Sequence, residues 1–104
     1  MTERTGERIR IQIDDELADL IPGYLENRRK DIDSILEALR GGDHEAIRYL
    51  GHSMKGSGGG YGFQAITDIG RAIETAAQEG NAEEIRVHVE ALMNYLDRIE
   101  IVYA

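Results

Sequence analysis

The sequence predicts an all-α protein, an antiparallel up-down four-helix bundle with a short additional N-terminal helix and an extended N-terminal arm. Apolar residues recur with a 3.6-residue period over long stretches, and short connections join these stretches. The chain has one proline and few aromatic residues, which suits long helices. A length of 104 residues is enough for one domain with a single core.

The first thirteen residues differ from the rest of the chain. Ile9, Ile11 and Ile13 alternate with polar residues, and this period of two is typical of a β-strand. Because no second convincing strand is present to pair with them, we expect residues 1–13 to form an extended arm. The arm would lie against a helical body formed by residues 14–104.

Two helices are predicted next. A short helix is expected to begin at Asp14 or Asp15 and to end near Ile21. A longer helix is expected from Pro22 to Arg40, because proline suits the first turn of a helix, where its missing N–H is not needed.

The next helix is expected to run through a glycine-rich segment. Gly41 and Gly42 end the preceding helix, and Asp43 has the side chain of a good N-cap. We expect Gly62 to adopt the left-handed conformation that ends this helix.

Two further helices complete the predicted bundle. The first runs from about Phe63 to Glu79. The second begins at Asn81, with Glu84 as a capping-box partner. Its apolar positions continue in steps of four and three as far as Tyr103, so the pattern predicts a helix over the whole remaining chain.

Composition and charge exclude several classes of function. A net charge of −8 argues against nucleic acid and anionic membrane surfaces as partners. No apolar run approaches the roughly 18 residues needed to cross a membrane, and the polar N-terminus has no secretory signal. The chain has no cysteine, which rules out disulfides and thiolate metal sites and fits a reducing compartment. We therefore expect a cytoplasmic protein, and the initial methionine favours an independent one.

The segment GHSMKGSGGGYG, residues 51–62, contains six of the twelve glycines in the chain, beside a histidine and a lysine. It could be a phosphate-binding loop, a flexible linker or a helix without side chains on one face. A Walker-type loop needs Gly-Lys-Ser/Thr after a strand, whereas Lys55 precedes Gly56 here and no strand leads in. The loop interpretation therefore fails.

Helical geometry favours the third interpretation over the linker. At about 100° per residue, the apolar residues between positions 47 and 61 fall opposite His52, so the apolar pattern continues through the glycines. Glycine costs about 0.5–1 kcal/mol per helix position, which requires a compensating role. Gly51 and Gly58 lie at the flank, where they would let a neighbouring helix pack closely. The positions within about 60° of His52 are Arg48, Lys55, Gly56, Gly59 and Phe63.

An exposed imidazole beside a lysine suits phosphoryl transfer. A ring nitrogen of His52 can attack phosphorus, and Lys55 places a cation where charge builds on the phosphoryl oxygens. His44 and His88 are interpreted as ordinary surface residues. Metal binding is not expected, because His44 and His52 lie about 80° apart around the helix and no i, i+4 pair of histidines exists.

These residues resemble the histidine-containing phosphotransfer (HPt) domains of multistep phosphorelays. The family motif is a His, two residues, Lys-Gly, a run of small residues and a Gly ten after the His. The sequence reads His52-Ser-Met-Lys55-Gly56-Ser57-Gly-Gly-Gly-Tyr-Gly62. The resemblance covers the chain from about residue 12, and only the triple glycine is richer than usual. It implies that His52 is the phosphoacceptor, Lys55 its charge-compensating neighbour and Gly56 the point of access for a receiver domain.

Further site residues are expected around this motif. Gln64 occupies a position that is often polar in the family. A polar side chain on the fourth helix often orients the imidazole, and spacing alone does not choose between Glu74 and Gln78. The expected partner-binding residues are Gly56, Gly59, Arg48, Phe63 and Gln64.

The sequence thus predicts a phosphotransfer protein of two-component signalling. His52 would carry a phosphoryl group to or from the aspartate of a response-regulator receiver domain, with a histidine kinase, possibly hybrid, as another partner. No ATP site is visible in the sequence, so we expect a phosphocarrier and not an enzyme. We also expect the chain to be a monomer. It needs no cofactor of its own, because the resemblance places any Mg²⁺ on the receiver. The alternative is a noncatalytic helical module that docks a receiver or kinase through the same glycine-bared face.

Overall fold

Four α-helices and one pair of short strands make up the fold, in a computed structural model that describes residues 7–104. Each helix packs against the next one in sequence, and the first also packs against the last. The predicted all-α four-helix architecture is confirmed. The first six residues of the predicted arm lie outside the described part of the chain. The elements are β1 (Ile9–Ile13), α1 (Ile21–Arg40), α2 (His44–Ser57), α3 (Gln64–Gln78), α4 (Ala82–Arg98) and β2 (Ile99–Tyr103), with 3-10 turns at Asp15–Leu17 and Gly59–Tyr61.

The helix boundaries follow from local capping chemistry. The side chains of Asp43 and Asn81 each accept a hydrogen bond from the backbone N–H three residues later, at 3.0 and 3.1 Å. Gly42 and Gly80 adopt φ values of 73° and 65°, the left-handed conformation that ends a helix with least strain in glycine. The predicted starts of α2 and α4 are confirmed.

The predicted short helix before α1 is reduced to a single 3-10 turn. Asp14 caps this turn by accepting the N–H of Glu16 at 2.9 Å, and α1 begins separately at Ile21. Pro22 explains the break, because an α-helix continuing through it would need the backbone N–H that proline lacks.

The core lies between the four helices and receives one residue from β1. Its fully buried members come from every helix, and Ile13 of the arm is also only 2% exposed. The side chains with no exposed surface at all are Ile35, Ile47, Met54, Phe63, Ile66, Ile73, Ile85 and Leu92.

The C-terminal end differs from its prediction. α4 ends at Arg98, and residues Ile99–Tyr103 form β2, which pairs in parallel with β1 from Ile9↔Ile99 to Ile13↔Tyr103. The predicted helix as far as Tyr103 and the unpaired state of the arm were therefore wrong. Ile99 and Ile101 of β2 are β-branched and pack well on a pleated surface. β1 supplies the backbone hydrogen-bonding partners of β2, and this contact between distant segments could not be seen in the sequence.

The arm is joined to the glycine-rich end of α2. A Cβ atom added to Gly62 would lie 2.5 Å from the Cδ1 atom of Ile13, so the two segments are in direct contact. Tyr24 of α1 adds a second contact, because its ring stacks on Tyr61 at a centroid distance of 4.2 Å. The segment after α2 is therefore packed on two sides.

Candidate functional site

The histidine singled out by the sequence lies on the outer side of α2. The His52 side chain is 61% exposed, and Lys55, one helical turn later, is 33% exposed. Glu74 approaches both from α3 and is only 12% exposed. The site thus combines an accessible imidazole with a largely buried carboxylate.

One carboxylate bridges the two basic side chains. Glu74 Oε2 lies 3.0 Å from His52 Nδ1, and Glu74 Oε1 lies 2.9 Å from Lys55 Nζ. Gln78, the other candidate for orienting the imidazole, is exposed at the last position of α3. The structure therefore brings Glu74 to His52.

The bridge determines the charge of Glu74. The hydrogen bond from Lys55 lowers the pKa of this carboxyl group below its usual value of 4.5, although burial acts in the opposite direction. The hydrogen bond with His52 and the charges of both neighbours lower the pKa further. Glu74 is therefore ionised at neutral pH and can only accept hydrogen bonds.

The ionised carboxylate fixes the tautomer of the histidine. Because Glu74 Oε2 accepts from Nδ1, the ring proton of a neutral His52 is assigned to Nδ1. The lone pair is then on Nε2, the nitrogen that makes no hydrogen bond with residues 7–104. Nε2 is thus available to attack an electrophile.

Two glycines allow the helices to approach closely enough for this bridge. A Cβ on Gly51 would lie 2.7 Å from the backbone nitrogen of Glu74, and a Cβ on Gly70 would lie 2.6 Å from the backbone nitrogen of Lys55. Such distances are too short for any other residue without moving a backbone. The predicted close packing at Gly51 is confirmed. The role of Gly70 was missed, although an isolated glycine inside the apolar pattern of α3 was a signal for it.

A buried threonine holds the end of α2 against α3. Thr67 Oγ1 donates to the carbonyl oxygen of Lys55 at 3.0 Å and accepts from the N–H of Gly59 at 2.8 Å. A Cβ on Gly58 would lie 2.6 Å from the backbone nitrogen of Thr67, so this contact also depends on glycine and confirms the close packing predicted there. The sequence-based prediction did not single out Thr67, although a polar residue directly after the inward-facing Ile66 was a signal for such a role.

The end of α2 corrects part of the predicted face. The α-helix stops at Ser57, and a 3-10 turn and Gly62, with its predicted left-handed φ of 99°, follow it. This change of path rotates the later residues away from their expected positions. Phe63 is fully buried, with its ring 6.0 Å from that of Tyr24, so it does not belong to an exposed partner-binding face.

The other expected partner-binding residues remain at the surface. Gly56 is exposed, and a Cβ added there would meet no atom of residues 7–104 within 4 Å. Gly59 is also exposed, but a Cβ there would lie 3.3 Å from Gln64 Oε1. Arg48 forms an ion pair with Glu45 one turn earlier on α2. The open space therefore surrounds Gly56 and not Gly59.

The remaining histidines lie apart from this bridge. His44 is the first residue of α2 and is partly buried, and His88 of α4 pairs with Glu84 at 3.1 Å. Within residues 7–104 no group of three or more His, Cys, Asp and Glu side chains is placed to hold a metal ion. None of the helices in that range is both long and apolar enough to cross a bilayer.

Comparison with known proteins agrees with the geometry of the site. The family model of the Hpt domain matches residues 10–101, nearly the whole chain. Searches of curated proteins and of solved structures give no significant match. Hpt domains are phosphocarrier modules of two-component phosphorelays and interact with receiver domains and histidine kinases. The chain belongs to the Hpt domain family.

Proposed function

We propose that this chain carries a phosphoryl group on His52 Nε2, to or from the aspartate of a response-regulator receiver domain. The observation that supports the proposal most directly is the bridge from Glu74 to His52 Nδ1 and Lys55 Nζ. It leaves Nε2 exposed as the nucleophile in a chain of the Hpt domain family.

The transfer step follows from this arrangement. Nε2 attacks the phosphorus of an aspartyl phosphate, an N–P bond forms, and the P–O bond to the aspartate breaks to release its carboxylate. The ring keeps its Nδ1 proton and gains positive charge as the bond forms. The Glu74 carboxylate stabilises this charge from a position that it already occupies before the reaction.

Lys55 compensates the negative charge of the phosphoryl group. Its ammonium group has three N–H donors, and the bond to Glu74 Oε1 accounts for one of them. The others remain for the phosphoryl oxygens, where charge builds during transfer. Glu74 thus positions Lys55 and His52 for the same reaction.

The surface around His52 fits access by a protein partner. Gly56 lies one turn after His52 with open space in the position of a missing side chain, so a receiver backbone can approach the imidazole there. We assign Arg48, Gly59 and Gln64 to the edge of this contact. The donor of the phosphoryl group is a receiver or a histidine kinase, and any Mg²⁺ belongs to the acidic pocket of the receiver. The chain acts as a monomeric cytoplasmic carrier without an ATP site of its own.

The test is phosphorylation by a receiver domain charged with acetyl phosphate, followed by intact-mass measurement. We expect a mass gain of one phosphoryl group that is labile in acid and stable in base. His52→Gln should abolish the gain, whereas His44→Gln and His88→Gln should retain it. Phosphorylation of the His52→Gln variant would contradict the assignment. Binding of the receiver without any phosphorylation would favour a noncatalytic docking module instead.

A further inference from the structure

An exposed aromatic side chain lies beside the proposed phosphoacceptor. Tyr49 is 67% exposed, the highest value among the exposed large hydrophobic side chains of the described residues. It precedes His52 by three residues on α2, which places it about 60° around the helix and about 4.5 Å along the axis. Tyr49 and Gly56 therefore flank His52 on opposite sides along α2.

The position of Tyr49 is specific to this face. Among residues 7–104, the other exposed large hydrophobic side chains lie before α1, on α4 or on β2. A ring that is two-thirds exposed gains little from folding, so its apolar surface remains available for a partner. The exposed large hydrophobic residues that lie away from His52 are Leu20, Val87, Met93, Val102 and Tyr103.

The chemistry of His52 requires a partner to cover this surface. This requirement rests on the proposed function, in which the aspartyl phosphate of a receiver must come within bonding distance of Nε2. A standard interface buries about 800 Å² on each side, which corresponds to a disc of about 16 Å radius. Tyr49 therefore lies near the centre of any such interface, where tyrosine is enriched among the residues that dominate affinity.

The charged side chains closest to His52 along α2 are paired within the chain. Lys55 is paired with Glu74, and Arg48 is paired with Glu45, so these four charges compensate one another. A second copy of the chain is disfavoured as the occupant, because each copy carries a net charge of −8 and its own His52 offers no acceptor carboxylate.

We propose that Tyr49 is the principal apolar anchor for the receiver domain and determines which receivers exchange phosphoryl groups with His52. The ring enters an apolar depression beside the phosphoacceptor aspartate of the receiver, while the backbone of the receiver passes over Gly56. A receiver with a charged or filled surface at that place is a poor partner even when its acidic pocket is intact.

The test separates docking from chemistry. Wild type, Tyr49→Ala, Tyr49→Phe and Val87→Ala are each phosphorylated with phosphoramidate, in which Nε2 attacks phosphorus and ammonia leaves. The phosphorylated proteins are then mixed with every receiver domain encoded in the source genome. For the receivers that accept from wild type, kcat and KM of transfer are measured. Val87 is the matched control, since it is 52% exposed on α4, away from His52.

We expect Tyr49→Ala to raise KM at least tenfold, about 1.4 kcal/mol, with kcat at saturating receiver retained. Tyr49→Phe should stay close to wild type, because the ring and not the hydroxyl group makes the contact, and Val87→Ala should match wild type. Equal transfer by Tyr49→Ala and wild type, or a loss confined to kcat, would overturn the proposal. Phosphorylated wild type that no receiver discharges would instead contradict the proposed function itself. So would failure of phosphoramidate to modify His52.

Discussion

At the scale of single residues, the site depends on the position of one carboxylate. Glu74 contacts His52 Nδ1 and Lys55 Nζ with its two oxygens, so it holds in place the two groups that we propose as nucleophile and charge-compensating cation. Its pKa is lowered first by the hydrogen bond from Lys55, and it therefore stays ionised under physiological conditions. The accessible Nε2 of His52 is a direct consequence.

Glu74→Gln should slow phosphorylation of His52. The amide keeps the shape of the side chain but loses its charge, and its N–H₂ group can donate to Nδ1 and favour the opposite tautomer. We expect the rate of transfer from a charged receiver to fall at least about tenfold, equivalent to about 1.4 kcal/mol in the barrier. The control is Gln78→Ala on the same helix, and an equal loss in both variants would argue against a specific role of Glu74.

The same substitution should change stability in a pH-dependent way. Because the folded-state pKa of Glu74 lies below its usual value of 4.5, ionised Glu74 stabilises the fold above that pH. The contribution is lost as the pH falls through the folded-state pKa. Urea unfolding of wild type and Glu74→Gln should therefore show a difference at neutral pH that shrinks on acidification below 4.5. A difference that grows at low pH would contradict the assigned charge.

The sequence predicted His52 and Lys55 because their spacing along one helix fixes their relation. It left Glu74 and Gln78 open because the rotation of α3 against α2 depends on packing. Gly51 and Gly70 set that rotation by direct backbone contact, and a single sequence does not show which glycines meet.

At the scale of elements, the glycines in α2 and directly after it serve two different purposes. Gly51 and Gly58 face α3, where a Cβ would lie below 3 Å from backbone atoms, so they allow the helices to touch. Gly56 faces open space and makes no such contact. The cost of glycine inside α2 is therefore compensated by packing at Gly51, whereas at Gly56 we assign it to access for the partner.

Substitutions at Gly56 and Gly70 should have opposite effects on stability. Gly56→Ala should stabilise the protein by up to about 1 kcal/mol, because alanine favours the helix and its Cβ meets no atom of the described residues. The same substitution should slow transfer from a receiver. Gly70→Ala should destabilise by about 1–3 kcal/mol or more, because its Cβ would overlap the backbone of Lys55. Urea unfolding and transfer rates measure both. Destabilisation by Gly56→Ala would show that its surroundings are not open.

Local sequence signals were sufficient to predict the start of α2 and the turn that follows it, but not the path from the end of α2 to that turn. The start of α2 was predictable because Asp43 provides a local cap, and the left-handed Gly62 was predictable as a local turn. The 3-10 path between Ser57 and Gly62 was not, because contacts with Thr67 and Tyr24 determine it. Phe63 was misplaced for that reason.

At the scale of the whole molecule, the two ends of the chain close the fold. β1 and β2 pair in parallel although 85 residues lie between them, and Asp15 and Ala104 extend the contact by a backbone hydrogen bond of 3.1 Å. The pair places Ile13 in the core against Gly62, next to the end of α2. The arm therefore contributes to the packing below the site.

Removing the buried side chain of the arm should destabilise the whole protein. Ile13 is 2% exposed, so we expect Ile13→Ala to cost about 2–5 kcal/mol. Val102→Ala is the control on the other strand, since Val102 is 40% exposed and should cost much less. Chemical unfolding at neutral pH measures both free energies. Equal small losses would mean that the arm does not pack on the body.

The strand pair was the feature of the whole molecule that the sequence could not reveal. Positions 99 and 103 satisfy both the spacing of a helix and the alternation of a strand, so the pattern of α4 extends into β2 without a break. Only the presence of β1 decides between them, and that is a contact between distant segments.

The most direct test of the account is the identity of the phosphorylated atom. Phosphorylated protein labelled with ¹⁵N on histidine is studied by ³¹P and ¹H–¹⁵N NMR. We predict one phosphoryl group on Nε2 of His52, with the Nδ1 proton retained towards Glu74. A phosphoryl group on Nδ1 of His52, or on His44 or His88, would contradict the account, because the bridge from Glu74 would then not direct the reaction.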